Sequence, residues 1–209
     1  MTRLETEIFS RHEKTVLAAL RSATVGVAGA GGLGSNVAVS LARAGVGRLI
    51  LADFDKIEPS NLNRQQFAVR QIGKRKAAAL AANLKLIAPF TAVKAYDAKV
   101  GPANIEKLFG GADILIEAFD RAEEKGMLIN AWLKLHPDRP VIAASGLAGY
   151  GGNSKLKTRR MGSLYICGDG ASQCPPGISP MAPRVALVAN MQANLAVELL
   201  MKIKGKKNV

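Results

Sequence analysis

Ten positions from Gly29 to Asp120 have side chains, or the lack of one, suited to handling phosphate. Gly29-Ala30-Gly31-Gly32-Leu33-Gly34 is a GxGxxG turn. Glycines at that spacing, between a strand and a helix, let the chain turn tightly and bring an anion against the helix N-terminus. Asp53 follows at about the separation at which an acidic strand end meets ribose hydroxyls. The turn and Asp53 together describe a nucleotide site without distinguishing NAD, FAD and ATP. The discriminating residues come next, in SNLNRQQF: Asn61, Arg64 and Gln65, then Lys76. A guanidinium and an ammonium beside a glycine turn neutralise phosphate oxygens. Asp120 ends the apolar run DILIEAF and is an oxygen ligand for magnesium. Two cations, one carboxylate and a glycine turn suit a nucleoside triphosphate better than a redox cofactor. On residue type and spacing alone, Arg64 and Lys76 are also consistent with plain surface charge.

These residues need a scaffold that brings strand ends together. The pattern over 22–147 alternates strand and helix: strands at 24–28, 47–52, 91–98, 113–118 and 140–144, and helices at 32–44, 73–87, 104–109 and 122–135. A further amphipathic helix is expected over 5–20. Apolar strands alternating with helices predict a Rossmann-like α/β fold, a mostly parallel sheet with helices on both faces. After Ser145 the pattern breaks. Residues 146–180 read as a flexible, glycine-rich crossover segment, within which KLKTRRMGSLYIC is compatible with two short strands. A C-terminal helix over 181–203 closes the chain, with Pro183 in its first turn. The whole of 1–209 reads as one domain.

The 209 residues are 48% hydrophobic and 22% charged, ordinary for a chain with one core. The N-terminus is charged and lacks the apolar stretch of a secretory signal, and no run is long enough to span a bilayer. With two cysteines, Cys167 and Cys174, the expectation is a reducing cytoplasm. Net charge is +13, from 29 basic and 16 acidic residues, dense only at KTRR (157–160) and in the tail from Lys202. This suits an anionic partner, but aromatics are only 5%, so stacking on nucleic acid is disfavoured. Cys167 sits in the apolar LYIC run and reads as a buried structural residue. Trp132 and the methionines fall on helical patterns and read as core or dimer contacts. His12 and His136 read as surface residues.

GAGGLGS, DFDKIEPSNLNRQ, GKRK and EAFD, in that order from about Phe9 to Leu147, resemble the ubiquitin-activating-enzyme-like adenylyltransferases ThiF, MoeB and HesA. AASGLAGYGG, KTRR, LYICGD and MAPRVA are similar to the short ThiF proteins of thiamine biosynthesis. The resemblance implies ATP-dependent adenylation of the C-terminal glycine of a small, diglycine-ended ubiquitin-like sulfur carrier. Gly29, Gly31, Gly32 and Gly34 would then hold the ATP phosphates and Asp53 the ribose. Asn61, Arg64, Gln65 and Lys76 would contact the triphosphate, and Asp120 would bind Mg2+. Gly73 sets the Gly-x-x-Lys frame that selects Lys76 over Lys74.

The resemblance further implies a homodimer in which Arg11 enters the neighbouring subunit's site, and a sulfur donor protein that acts later. Cys174, in the crossover segment, is the thiol it offers for sulfur transfer, although an incidental exposed cysteine explains it as well. Many relatives in that family hold structural zinc with four cysteines; two at Cys-x6-Cys spacing exclude such a site within one chain, so no zinc is expected. Within the family, activation of another carrier such as the molybdopterin one is the rival reading. Outside it, the rivals are an NAD-binding oxidoreductase and a non-catalytic nucleotide-binding scaffold.

Overall fold

The computed structural model describes residues 2–204; residues 205–209 of the basic tail lie outside the described residues. The order of elements is α1 (Arg3–Ile8), α2 (Lys14–Ser22), β1 (Thr24–Ala28), α3 (Gly32–Ala44), β2 (Arg48–Ala52), α4 (Lys76–Ile87) and β3 (Ala92–Tyr96), followed by α5 (Ile105–Phe109), β4 (Ile114–Glu117), α6 (Ala122–Leu135), β5 (Val141–Ala144), β6 (Lys157–Met161), β7 (Leu164–Gly168) and α7 (Ala182–Lys204). One seven-stranded sheet has the order β3-β2-β1-β4-β5-β7-β6. Every pairing is parallel except β6 with β7.

Strand pleating sorts the apolar residues into two cores. Val25, Val27, Leu49, Leu51, Ile114, Ile116 and Ile142 point into one, with side chains from α2, α3, α4 and α7. Ile50, Leu115 and Val141 point into the other, against Phe109 of α5 and Leu128 and Trp132 of α6. Successive strand residues face opposite ways, so strands covered on both faces must be apolar throughout. VGVA, LILA and ILI satisfy that requirement, and all are buried. Trp132 is a core residue, fully buried.

The chain crosses over between β1 and β4, which lie side by side although β2 and β3 come between them in sequence. The carboxyl ends of strands at such a switch point leave a crevice where ligands of this architecture bind. The last helix spans this region from beneath. Gln192 of α7 is fully buried and its Nε2 donates to the carbonyls of Glu117 (3.1 Å) and Ile142 (3.0 Å).

Several expected boundaries move, each for a local reason. The single helix expected over 5–20 is two helices, because Phe9 caps α1 and turns its ring inward against Phe90. Residues 73–75 are not helical: Gly73 has φ 83°, its N–H donates to the Ile57 carbonyl, and Lys56 and Arg75 form an isolated bridge. The 146–180 segment is not flexible throughout; its middle, 157–168, forms sheet strands β6 and β7. His136 is not a surface residue but half-buried, its ring 4.5 Å from that of Trp132 and its Nε2 2.7 Å from Glu106. Cys167 is buried as expected.

Replacing Gln192 by Leu removes the side-chain donor to two strand carbonyls, those of Glu117 and Ile142. The expected outcome is a loss of about 1–3 kcal/mol, read as a lower urea midpoint with an unchanged m value.

Candidate nucleotide site

The glycine turn is dictated by close backbone contacts. A Cβ on Gly34 would lie 1.9 Å from the Gly29 carbonyl oxygen, so no side chain fits there. Gly29 has φ 97°, in the left-handed region, and a Cβ on it would meet the Ala118 carbonyl at 2.8 Å. The turn therefore runs tight against the end of β4. Gly31 is the N-cap of α3, and a Cβ there would meet only Gln65 Nε2, at 3.8 Å. The first turn of α3 lacks an acidic residue or a side-chain cap. Its leading N–H groups have no helical acceptors and the helix dipole is positive there, which suits an anion.

Asp53, at the end of β2, braces this turn. Its carboxylate accepts hydrogen bonds from the N–H of Ala30 (2.7 Å) and of Asp55 (2.8 Å). Burial pushes its pKa above the ordinary carboxylate value, against those two bonds and the charge of Lys76. Lys76 opens α4, is buried, and its Nζ is 2.8 Å from Asp55. Asp55, which holds this ammonium, is not among the residues expected from sequence, where its one signal is its place two residues after Asp53.

The 58–66 loop folds over the start of α3. Asn61 is buried, but it shapes the loop: its Oδ1 accepts from the Glu58 N–H (3.1 Å) and its carbonyl accepts from Arg64 and Gln65. Arg64 is half-buried, its stem beside Gly32 and its Nη1 on the Ser60 carbonyl (3.1 Å) and Asn63 Oδ1 (2.8 Å). Gln65 is buried and its Oε1 has no partner. An amide with unfilled bonding capacity beside a glycine turn fits a polar ligand there.

Asn36, also absent from the residues expected from sequence, is the stitch between loop and helix. Its Nδ2 donates to the carbonyls of Gly32 (2.7 Å) and Arg64 (3.1 Å), and its Oδ1 accepts from Gln66 Nε2 (2.7 Å). An Asn inside an otherwise apolar helix row was its only sequence signal. Arg64, Gln65 and Asn36 line a groove of about 380 Å3 closed on the far side by Ala182, Pro183 and Ala186 of α7.

Asp120 lies exposed after β4, next to Phe119, whose ring borders Gly29. Glu117 sets that turn: its Oε1 accepts from the Phe119 N–H (2.6 Å), and both oxygens accept from Lys125 Nζ (3.0 and 2.9 Å). Among the described residues no group of three or more His, Cys, Asp or Glu could hold a metal ion. A single exposed carboxylate still fits Mg2+ that arrives on a nucleotide, since that ion keeps waters and takes few protein ligands.

Two expected residues do not join this cluster. Arg11 lies in the turn between α1 and α2, two residues from Phe9, which packs on Phe90 just before β3 at the opposite, amino edge of the sheet. Cys174 is half-buried in the loop after β7, and no described residue hydrogen-bonds to it. A further feature lies beside the site. Arg184 of α7, buried, pairs with Asp169 (2.6 Å) and donates to the Gly151 carbonyl, tying both ends of the crossover to the helix whose Val185 abuts Gly32.

A glycine turn, a free helix start and two cations at the switch point of a mostly parallel sheet define a Rossmann-like α/β protein with a candidate nucleotide site. The chain belongs to the ThiF family, whose model matches residues 5–209. It is 29% identical over 196 residues to the adenylyltransferase and sulfurtransferase UBA4 of Candida glabrata, covering 90% of this chain and 45% of that protein. It is 42% identical over 115 residues to the tRNA threonylcarbamoyladenosine dehydratase of Haemophilus influenzae, covering 54% and 44%. The chain thus spans less than half the length of these curated relatives. Its fold is shared with E. coli tRNA N6-threonylcarbamoyladenosine dehydratase, TcdA, in complex with ATP, at a TM-score of 0.86, 21% identity and 98% coverage of both chains.

Burial raises the pKa of Glu117 above its ordinary value of 4.5, with Lys125 acting in the opposite direction. The folded state therefore holds this proton more tightly than the unfolded state. Its contribution to stability falls as pH rises from 4.5 through the raised folded value, then levels off. Unfolding free energies from urea titrations across that range should decline more steeply for wild type than for Glu117→Gln; parallel curves would contradict this.

Proposed function

We propose that this chain uses Mg-ATP to adenylate the C-terminal glycine carboxylate of a small ubiquitin-like sulfur carrier protein, releasing pyrophosphate. The supporting observation is the pair of cations, Arg64 and Lys76, set around the open start of α3 in a member of the ThiF family. The carboxylate nucleophile is already ionised at neutral pH, so no general base is needed. It attacks the α-phosphorus, the α–β bridging P–O bond breaks, and the acyl-adenylate remains. The protein supplies positioning and charge neutralisation. Gly29–Gly34 and α3 hold the phosphates, and Asp53 keeps the turn in shape and offers its remaining lone pairs to the ribose. Gln65 bonds the ligand through its unfilled amide. Arg64 and Lys76 neutralise the developing charge, Lys76 leaving Asp55 as nucleotide enters. Asp120 would hold a Mg2+ ion, which would supply Lewis-acid charge neutralisation of the leaving group.

The carrier we favour is the thiamine one, on the resemblance of the C-terminal motifs to the short ThiF proteins. The working unit is a homodimer in the cytoplasm. Since Arg11 lies at the amino edge of its own sheet, any role at a nucleotide site is exercised on the other subunit. Cys174 is the candidate thiol for the later sulfur step. No described helix is long and apolar enough to cross a membrane.

A second reading keeps the chemistry and changes the substrate. A threonylcarbamoyladenosine also carries a carboxylate that ATP can activate, and the net charge of +13 suits tRNA.

Mass spectrometry of a diglycine-ended carrier after incubation with the protein and Mg-ATP tests both. A gain of one AMP is expected. Arg64→Ala and Asp120→Ala should each slow its formation by about 100-fold or more. Dehydration of modified tRNA without any carrier adduct would establish the second reading instead. NADH binding without ATP binding would restore the oxidoreductase, and ATP binding without turnover the scaffold.

A further inference from the structure

Strand β6 is one of the two edges of the sheet, β3 being the other, and all five of its residues are exposed. It joins β7 through a two-residue loop, Gly162-Ser163, with Met161 opposite Leu164. In a hairpin of that length the closing pair exchanges hydrogen bonds, and alternate pairs do so along the strand. Met161, Arg159 and Lys157 therefore bond to β7, while the N–H and C=O groups of Thr158 and Arg160 point outward from the sheet. This edge is an open template for one more strand.

Its charge is one-sided. Lys155, Lys157, Arg159 and Arg160 have no ion-pair partner among the described residues. Lys155, Lys157 and Arg159 line a concavity of about 550 Å3 with Ser154, Asp169 and Ser172. Asp169 is its only carboxylate, and it is already engaged by Arg184 and by the N–H groups of Ala171 and Ser172. Arg159 is held in place by the Asp169 carbonyl (3.1 Å), and Arg160 lies over the Tyr165 ring. A lysine or two suffices to keep an edge from aggregating; three unpaired cations around a hollow, with Arg160 beside them on the strand, also select an anion.

The position suits the proposed reaction. Because β7 runs parallel to β1, and β6 antiparallel, the start of β6 lies at the same sheet edge as the glycine turn. Five strand spacings of about 4.8 Å separate β1 from a strand added outside β6, about 24 Å in all, which an extended tail of about seven residues bridges.

We propose, resting on the adenylation reading, that β6 and its concavity are where the carrier's folded body docks. An acidic extended segment of the carrier pairs with β6 as an eighth strand while its tail reaches α3. Free peptide groups on the edge favour a peptide strand over nucleic acid, which has no use for the outward carbonyls.

The test uses thiamine-type and molybdopterin-type carriers that lack the final diglycine, so that binding is measured without chemistry. Titration calorimetry on the wild-type protein is expected to show binding by one of them. Lys155→Glu/Lys157→Glu should weaken it at least tenfold, as should Thr158→Pro, which removes an outward N–H and no bond to β7. With intact carrier, both variants should raise KM for the carrier and leave ATP affinity unchanged. Unchanged carrier affinity and KM in both variants would overturn the docking surface while leaving adenylation standing. Absence of binding by either carrier would also overturn it; if no AMP adduct forms either, the adenylation reading falls with it. Unfractionated tRNA bound by wild type and released by the same variants, with no carrier bound, would overturn it in favour of nucleic acid.

Discussion

Everything in this molecule depends on one approach of backbone to backbone: the Gly29 carbonyl against the Cα of Gly34. With no room for a methyl group between them, the chain leaves β1, reverses, and starts α3 within three residues. The helix start then points over the carboxyl ends of β1 and β4. Had the turn been looser, the N–H groups of α3 would face solvent at a random angle. The Asp53 carboxylate fixes the remaining freedom by holding the Ala30 N–H, a bond that survives burial because the same carboxylate also receives the Asp55 N–H.

Around that fixed point the polar residues divide into two kinds. Some maintain the scaffold: Asn61 within its loop, Asn36 between loop and helix, Glu117 beneath the Phe119 turn. Others are left with capacity: the Gln65 amide, the Arg64 guanidinium at the rim, the Asp120 carboxylate. Lys76 is between the two, buried yet paired with a half-exposed Asp55 that can be exchanged for a phosphate. A site of this kind is pre-shaped by the first group, so its ligand meets charges already in position.

The sequence made the sheet legible because strands covered on both faces must be apolar at every position, and VGVA, LILA and ILI could hardly be anything else. It made the glycine turn legible because only glycine tolerates those contacts. Helix ends were less legible where a side chain from elsewhere decides them, as Phe90 does by drawing in Phe9. The candidate site was visible in its charged members, since Arg64, Lys76 and Asp120 declare themselves by type. It was invisible in Asn36, Asp55 and Arg184, whose parts are defined only by neighbours 15 to 33 residues away in the chain. Asn61 reads from sequence as a contact to the triphosphate, whereas in the structure its Oδ1 accepts from the Glu58 N–H within its own loop.

The last helix has a consequence for how such a chain comes into being. Ala182, Pro183 and Ala186 form the outer wall of the groove, and Val185 abuts Gly32, some 150 residues upstream. During synthesis the glycine turn emerges about 150 residues ahead of its wall. A nascent chain released as far as β7 carries a phosphate turn open on one side and an apolar face of α3 with nothing upon it. The interval before α7 is made is when that apolar face most needs shielding.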